Sequence, residues 1–409
     1  MQPMMQATSA PRFLDRRTPP TLLTLVIIAG LSAATMNIYL PSLPGMSVHF
    51  GAPYHLLQLS VTVYLAMNAV LQLGLGPISD RFGRRPVLLI ACGLFCLASL
   101  GTVLAPTIGV FLICRMGQAV IVSGLVLSRA IVRDLYPGEQ AASRIGYVTM
   151  GMALVPMLAP VLGGALDAAF GWQANFWFLT LAGLAVTALI WFDLGETAPP
   201  STGGFARQFR GLPALLTARR FWGYCLSTTF ASGAFFAYLG GAPFVGAVIF
   251  HLSPSELGLW FGAPALGYML GNGISGRFSV RFGLNAMIVA GSVISSLGMA
   301  VPLVLFYTGH ATVAVFFGLM TFVGLGNGLV MPNGTAGMLS VRPELAGTAS
   351  GVGGAIMIGG GAALSALAGA VLSETSGATP LLWVMFASSV AGFCAIAYVI
   401  RREAYLRGA

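Results

Sequence analysis

Long apolar runs separated by short polar breaks dominate this chain. A helix must run about 20 residues to cross a ~30 Å hydrocarbon core. On that measure the pattern predicts spans near Thr21–Leu40, Leu56–Ile78, Pro86–Leu104, Ile108–Ala130, Ile145–Phe170 and Asn175–Phe192. A second series follows, near Phe221–Phe250, Leu257–Phe278, Leu284–Phe306, Ala311–Met331, Ala346–Leu372 and Pro380–Ile400. Between the two series lies ETAPPSTGGFARQFRGLPALLTARR, polar, basic and rich in Pro and Gly, as expected of a linker. The predicted organisation is a tail over 1–20, a six-helix bundle over 21–196, a linker over 197–219, a second six-helix bundle over 220–400 and a tail over 401–409. The expected fold class is an all-α membrane protein with twelve transmembrane helices in two bundles.

Composition agrees with a bilayer setting. The 409 residues are 57% hydrophobic and 8% charged, and a mean hydropathy of +0.87 lies outside the usual range of soluble proteins. The first apolar run follows Arg12, Arg16 and Arg17, but no convincing cleavage site follows it, so it is read as the first helix. The net charge of +9 comes wholly from arginine on the basic side. These arginines are scattered among short connectors, which argues against nucleic acid as a partner. Arg81, Arg84, Arg85, Arg133, Arg144, Arg207, Arg210, Arg219, Arg220, Arg277, Arg281, Arg342 and Arg401 fall in the tails, linker or alternate connectors, whereas Pro41–Tyr54 and His251–Glu256 contain none. The positive-inside rule then puts both termini in the cytoplasm.

Other chemistries find little support. Cys92, Cys96, Cys114, Cys225 and Cys394 all lie in apolar runs, so neither a structural disulfide nor a metal site is expected. His49, His55, His251 and His310 lie in or beside the outer loops and no HExxH occurs, so no enzyme and no cofactor is expected.

GPISDRFGRRP at Gly76–Pro86 interrupts the apolar pattern with an acid, three arginines and two prolines. Gly76 and Gly83 permit tight turning, and Asp80 is placed to meet a helix amino terminus, where free N–H groups and the macrodipole favour an anion. ISDRFGRR at Ile78–Arg85 recurs as ISGRFSVR at Ile274–Arg281, after the second span of each half. Parallel repeats of six helices are what transporters built from two rocking halves show, and a channel or receptor fits this recurrence less well.

At these residues the sequence resembles the major facilitator superfamily over nearly its whole length. NIYLPSLP from Asn37, CRMGQA from Cys114, RDLYP from Arg133, APVLGG from Ala159 and AGTASG from Ala346 resemble its Bcr/CflA branch of drug exporters. The resemblance implies a latch formed by Gly76, Asp80, Arg81, Gly83, Arg84, Arg85 and Asp134. In it Arg84 pairs with Asp134, and Asp80 meets the eleventh helix near Gly347 in the outward-facing state. It also implies an antiporter-like motif in the fifth helix at Pro156, Pro160, Gly163 and Gly164, although Ala159 and Val155 stand where the pattern has glycine.

Arg115 lies about seven residues into its span, roughly 10 Å deep, where an ionised group is costly unless it faces a cavity or a partner. The resemblance gives it, with Gln118, a place lining a central cavity. The branch usually carries an aspartate before the tyrosine of DxYLP, but this chain has Asn37. An amide cannot titrate, which leaves Asp167 as the remaining candidate proton site. An arginine without a nearby carboxylate favours an anionic, zwitterionic or neutral polar ligand. Candidate substrate contacts are Arg115, Asn37, Gln118, Tyr39, Tyr64, Asn68, Phe236 and Asn333. The resulting expectation is a monomeric multi-pass exporter of the bacterial inner membrane, whose partners are a small-molecule substrate and the lipid bilayer. It works by proton antiport with an atypical coupling site, or else as a facilitator or exchanger of an anionic or zwitterionic metabolite at Arg115.

Overall fold

The computed structural model describes residues 12–136, 144–145, 147–148, 155–197, 212–342 and 345–408. The predicted cytoplasmic residues Arg207 and Arg210 lie outside the described residues. The first half contains α1 (Leu22–Asn37), α2 (Leu43–Phe50), α3 (Tyr54–Phe82), α4 (Arg84–Val103), α5 (Ile108–Gln118), α6 (Val122–Leu135), α7 (Val155–Phe170) and α8 (Gln173–Asp193). The short α9 (Leu212–Leu216) precedes the second half, which contains α10 (Arg219–Phe244), α11 (Pro254–Trp260), α12 (Gly262–Phe282), α13 (Leu284–Tyr307), α14 (Leu319–Val341), α15 (Ala346–Val371) and α16 (Thr379–Gly408). Ten continuous helical stretches are long and apolar enough to cross a membrane among the described residues. With α7 and the α11–α12 pair they complete two sets of six.

Polar side chains are buried beside apolar ones between the helices, and large apolar side chains also face outward. Gln58, Ser60, Asn175 and Thr228 are fully buried, while Leu97, Ile113 and Phe170 are more than two-thirds exposed. In lipid, apolar side chains lose nothing by facing outward, and polar ones seek partners between helices. The helices also break at corresponding places. The first span passes through a 3₁₀ turn at Leu40–Ser42, where Pro41 and Pro44 interrupt the hydrogen bonds, and the fourth tightens to 3₁₀ at Ala119–Ile121. The seventh and tenth widen to π turns at Val245–Ile249 and Ala314–Gly318. Such interruptions mark functional regions in helices more often than chance, and here they fall in the first and fourth span of each half.

Two sequence expectations change. Pro41–Tyr54, expected as a loop, is largely helical as Leu40–Ser42 and α2. The charged connector is helical almost throughout, since α3 continues through Asp80 to Phe82 and α4 begins at Arg84. Gly83 alone breaks the helix, at φ 92°. Its counterpart is Gly283 at φ 83°, between α12 and α13. In each case the glycine N–H closes on a serine carbonyl at 2.9 Å, Ser79 or Ser279. The repeat in space therefore pairs SDRFG with SVRFG, four residues away from the ISGRFSVR register. Residues with φ near +90° are almost always glycine, so the backbone break sets the true register. Val280 and Leu284 then stand where the first half has Asp80 and Arg84.

Candidate functional site

Arg115 lies in the last turn of α5, immediately before the 3₁₀ turn, and is fully buried. Its guanidinium lies between two rings, 4.3 Å from the Tyr39 centroid and 4.7 Å from that of Tyr64. Cation–π contacts of this kind contribute about 1–2 kcal/mol each when desolvated. Nη1 donates to Gln118 Oε1 at 2.5 Å and to the Thr35 carbonyl at 3.3 Å, while Nε and Nη2 have no hydrogen-bond partner among the described residues. Gln118 passes the network on to Ser99 Oγ at 2.8 Å. The rings are held in turn, with the Tyr39 hydroxyl 3.0 Å from Ser60 Oγ and the Tyr64 hydroxyl donating to the Ser32 carbonyl at 3.3 Å. Arg115 is thus packed inside the first bundle behind two tyrosines, where the sequence led us to expect it lining an open cavity.

The other candidates divide by half. Asn37 Nδ2 donates to the Ala33 carbonyl of its own helix at 2.7 Å, and its Oδ1 is buried without a partner among the described residues. Asn68 accepts from Gln72 at 2.7 Å, one turn below Tyr64 on α3. In the second half, Asn333 donates to Ser275 Oγ and to the Leu329 carbonyl, both at 2.7 Å. Phe236 is buried where a side chain at Gly361 would overlap its ring. Both residues are engaged within their own bundle. Asp167, half-buried, lies on α7, which packs against the Leu40–Ser42 turn.

A charged knot closes the end of the first half that carries Gly83. Arg84 Nε donates to Asp134 Oδ2 at 2.9 Å, and its Nη1 lies 2.5 Å from Asp80 Oδ1 and 2.5 Å from Ser79 Oγ. Arg85 stacks 5.0 Å over the Trp191 ring, and Arg81 lies over Phe82 at 5.4 Å. Glu196, the last residue of the predicted first bundle, accepts the backbone N–H of Arg84 at 2.8 Å and that of Arg85 at 3.2 Å through its carboxylate. These are orphan donors of the α4 amino terminus, and an anion there meets both the donors and the dipole. A Cβ on Gly83 would come within 2.5 Å of Glu196 Oε2, and one on Gly76 would meet nothing. The whole knot belongs to one half. Asp80 pairs with Arg84 of the same half.

The second half has its own anchor. Glu403 on α16 accepts from Asn285 Nδ2 at 2.8 Å and from the Tyr224 hydroxyl at 3.2 Å, and it pairs with Arg220. In both halves a carboxylate at the end of the sixth span holds the start of the third.

Among the described residues, the hydrogen bonds between the halves lie at the opposite end. There Tyr54 donates to the Gly240 carbonyl at 2.9 Å, Gln58 to the Ser365 carbonyl at 2.7 Å and Ser255 to the Gly164 carbonyl at 3.3 Å. The α7 residues make this contact close. A side chain at Gly164 would overlap the Pro254 backbone of the other half, and a Cβ at Gly258 would lie 2.5 Å from the Pro160 carbonyl oxygen. Gly163 faces inward instead, where a side chain would overlap the Ile38 carbonyl of the same half. Pro156 lies in the first turn of α7 and is half-buried.

Two six-helix bundles with interrupted inner helices, packed on each other around small residues, define a membrane transporter of the two-half type. The chain belongs to the Major Facilitator Superfamily, whose sequence model matches residues 25–253 and 242–408. It is 32% identical over 380 residues to the MFS-type transporter YdgK of Bacillus subtilis (strain 168), covering 90% of this chain and 92% of that protein. It is 32% identical over 336 residues to a chloramphenicol resistance protein of Pseudomonas aeruginosa, covering 81% and 79% of the two chains. It is 30% identical over 378 residues to multidrug resistance protein D of Escherichia coli (strain K12), covering 86% and 90%. Among solved structures, the xylose transporter XylE of E. coli superposes with a TM-score of 0.70 at 14% identity, covering 93% of this chain and 96% of that one. A bacterial homolog of the human lysosomal transporter Spinster gives the same TM-score at 16% identity, with the same coverage.

Proposed function

We propose that this protein is an alternating-access exporter of small molecules in the bacterial inner membrane, with both termini in the cytoplasm. The observation that carries the reading is the set of hydrogen bonds between the halves at the end away from Gly83, through Tyr54–Gly240, Gln58–Ser365 and Ser255–Gly164. With the arginine-bearing connectors inside the cell under the positive-inside rule, the hydrogen-bonded end faces outward, as at one limit of a rocking cycle. The relatives named for chloramphenicol and multidrug resistance support export of small molecules. The working unit in this reading is a monomer of two bundles, 21–196 and 220–400, joined by the linker over 197–219, with the bilayer and the substrate as its partners.

Proton antiport in this protein proceeds without an acid at Asn37, whose amide is spent on Ala33. Asp167, on the helix that packs against the Leu40–Ser42 turn, is the coupling acid of this reading. A second reading, facilitated passage or exchange of an anionic or zwitterionic metabolite, draws support from Arg115, which has no carboxylate partner among the described residues. Chloramphenicol flux into inverted proteoliposomes, with and without an imposed pH gradient, separates the two. Gradient-driven accumulation that Asp167→Asn abolishes supports antiport. Gradient-independent equilibration supports the second reading, and no flux of any probe rules out both.

A further inference from the structure

The last turns of α12 carry two cations and no carboxylate. Arg277 and Arg281 stand one turn apart, both exposed, and α12, α13 and α14 contain no acidic residue. Among the described residues no ion pair includes either arginine. Like charges four residues apart on a helix repel. The first half meets the same situation with acids, since Arg84 pairs with Asp80 and Asp134 and Glu196 caps α4. The second half has Val280 where the first has Asp80.

Beside the two arginines lies an apolar furrow of about 580 Å³. Phe278 and Phe282 of α12 form one wall, Ala286 and Ala290 of α13 the other, and Leu325 and Leu329 of α14 the floor. Close glycine packing sets this shape. A Cβ at Gly271 of α12 would lie 2.2 Å from the Leu325 carbonyl oxygen, and one at Gly291 of α13 would lie 2.6 Å from the Gly326 carbonyl oxygen, so α14 holds both neighbours tightly. α12 and α13 touch each other far less, and the small side chains of Ala286 and Ala290 leave the space between them open. The Arg277 guanidinium lies 5.9 Å from the Phe278 ring centroid and that of Arg281 5.5 Å from the Phe282 centroid, with the two rings 6.0 Å apart. The cations therefore stand at the mouth of the furrow. From Phe282 to Ile274, both in its lining, the wall runs about 12 Å at the usual helical rise, close to the ~15 Å depth of one hydrocarbon leaflet.

We propose that this furrow binds an anionic phospholipid, with an acyl chain between α12 and α13 and the phosphate held by Arg277 and Arg281. Arginine presents forked donors to phosphate oxygens, and basic sites between helices on the cytoplasmic side select anionic headgroups. A choline headgroup would return a cation to the same place. The bound phosphate gives this end of the second half the negative charge that Asp80 gives the first. The site does not depend on what the protein transports.

The test is titration of dioleoylphosphatidylglycerol into the full-length protein in detergent, read by native mass spectrometry beside dioleoylphosphatidylcholine. The wild type should bind phosphatidylglycerol more tightly. Loss of two interfacial arginines predicts that Arg277→Gln combined with Arg281→Gln weakens that binding about tenfold to thirtyfold, with phosphatidylcholine little changed. Each single variant should lose part of the preference and stands in if the double variant does not fold. Arg17→Gln, at an exposed arginine of the first half, should change nothing. Ala290→Phe fills the furrow without touching a charge and should weaken both lipids. Equal binding of the two lipids by the wild type overturns the site, as does equal phosphatidylglycerol binding by the wild type and the folded neutral variants. Unchanged affinity in Ala290→Phe overturns the furrow as the seat of the chain. Displacement by inorganic phosphate as effective as by phosphatidylglycerol overturns the lipid in favour of a free anion.

Discussion

The Glu196 carboxylate caps the amino terminus of α4 by accepting the Arg84 N–H at 2.8 Å, across 112 residues of sequence. The contact fixes the end of one transmembrane helix with the residue that follows another. It also explains why the intervening helix break is a glycine. Gly83 has φ 92°, and its missing Cβ leaves room for the Glu196 oxygen.

Removing the cap by Glu196→Ala is expected to destabilise the first half by about 1 kcal/mol, the usual cost of losing a helix N-cap. Gly83→Ala is expected to cost more, about 1–3 kcal/mol for the backbone alone, with the steric conflict added. Thermal unfolding of the two variants in nanodiscs should rank Gly83→Ala below Glu196→Ala. Combining them should relieve part of the conflict, so the double variant should lose less than the sum.

Arg84 is nearly buried, at 9% side-chain exposure, and Asp134 is partly so. Asp134→Asn should destabilise by about 2 kcal/mol, as expected for a hydrogen bond to a charged group. Arg84→Lys should not restore the knot, because a lysine cannot reach Asp80, Ser79 and Asp134 together as the guanidinium fork does. A double-mutant cycle on Arg84 and Asp134, read by unfolding midpoint, should return a coupling well above that of an exposed ion pair.

Gly163 and Gly164 are neighbours with different duties. Gly163→Ala meets Ile38 of its own half and should lower stability in every conformation. Gly164→Ala meets Pro254 of the other half, so it should disfavour only the state in which that end is joined. Spin labels at the exposed residues Val48 and Tyr307 should report a longer distance in Gly164→Ala. Their distance should be unchanged in folded Gly163→Ala.

The fold was readable from the sequence because a span in lipid announces itself by length and hydropathy alone. Arg84 and Asp134 were readable through their motif. Glu196 and Glu403 were not, because capping between distant helices leaves no periodic or spacing signal. The register of the repeat was misread for a related reason. ISGRFSVR matches by letter, but the positive-φ glycine that ends each helix is a backbone property that letter matching does not weigh.

Arg115 gives a further prediction. Its stacking between Tyr39 and Tyr64 requires a planar cation, so Arg115→Lys should lower transport as strongly as Arg115→Ala. Tyr64→Leu should do part of the same by removing one ring. Initial rates in proteoliposomes, set against the unfolding midpoint of each variant, separate lost function from lost fold.

The central claim is that the halves move as bodies, joined in turn at each end. Electron–electron distances measured in one sample series for labels at Phe82 and Val280, beside the two glycine breaks, and at Val48 and Tyr307, at the other end, test it directly. Adding substrate or changing pH should shorten the first distance while lengthening the second. Distances that stay fixed, or that change in the same direction at both ends, contradict the account.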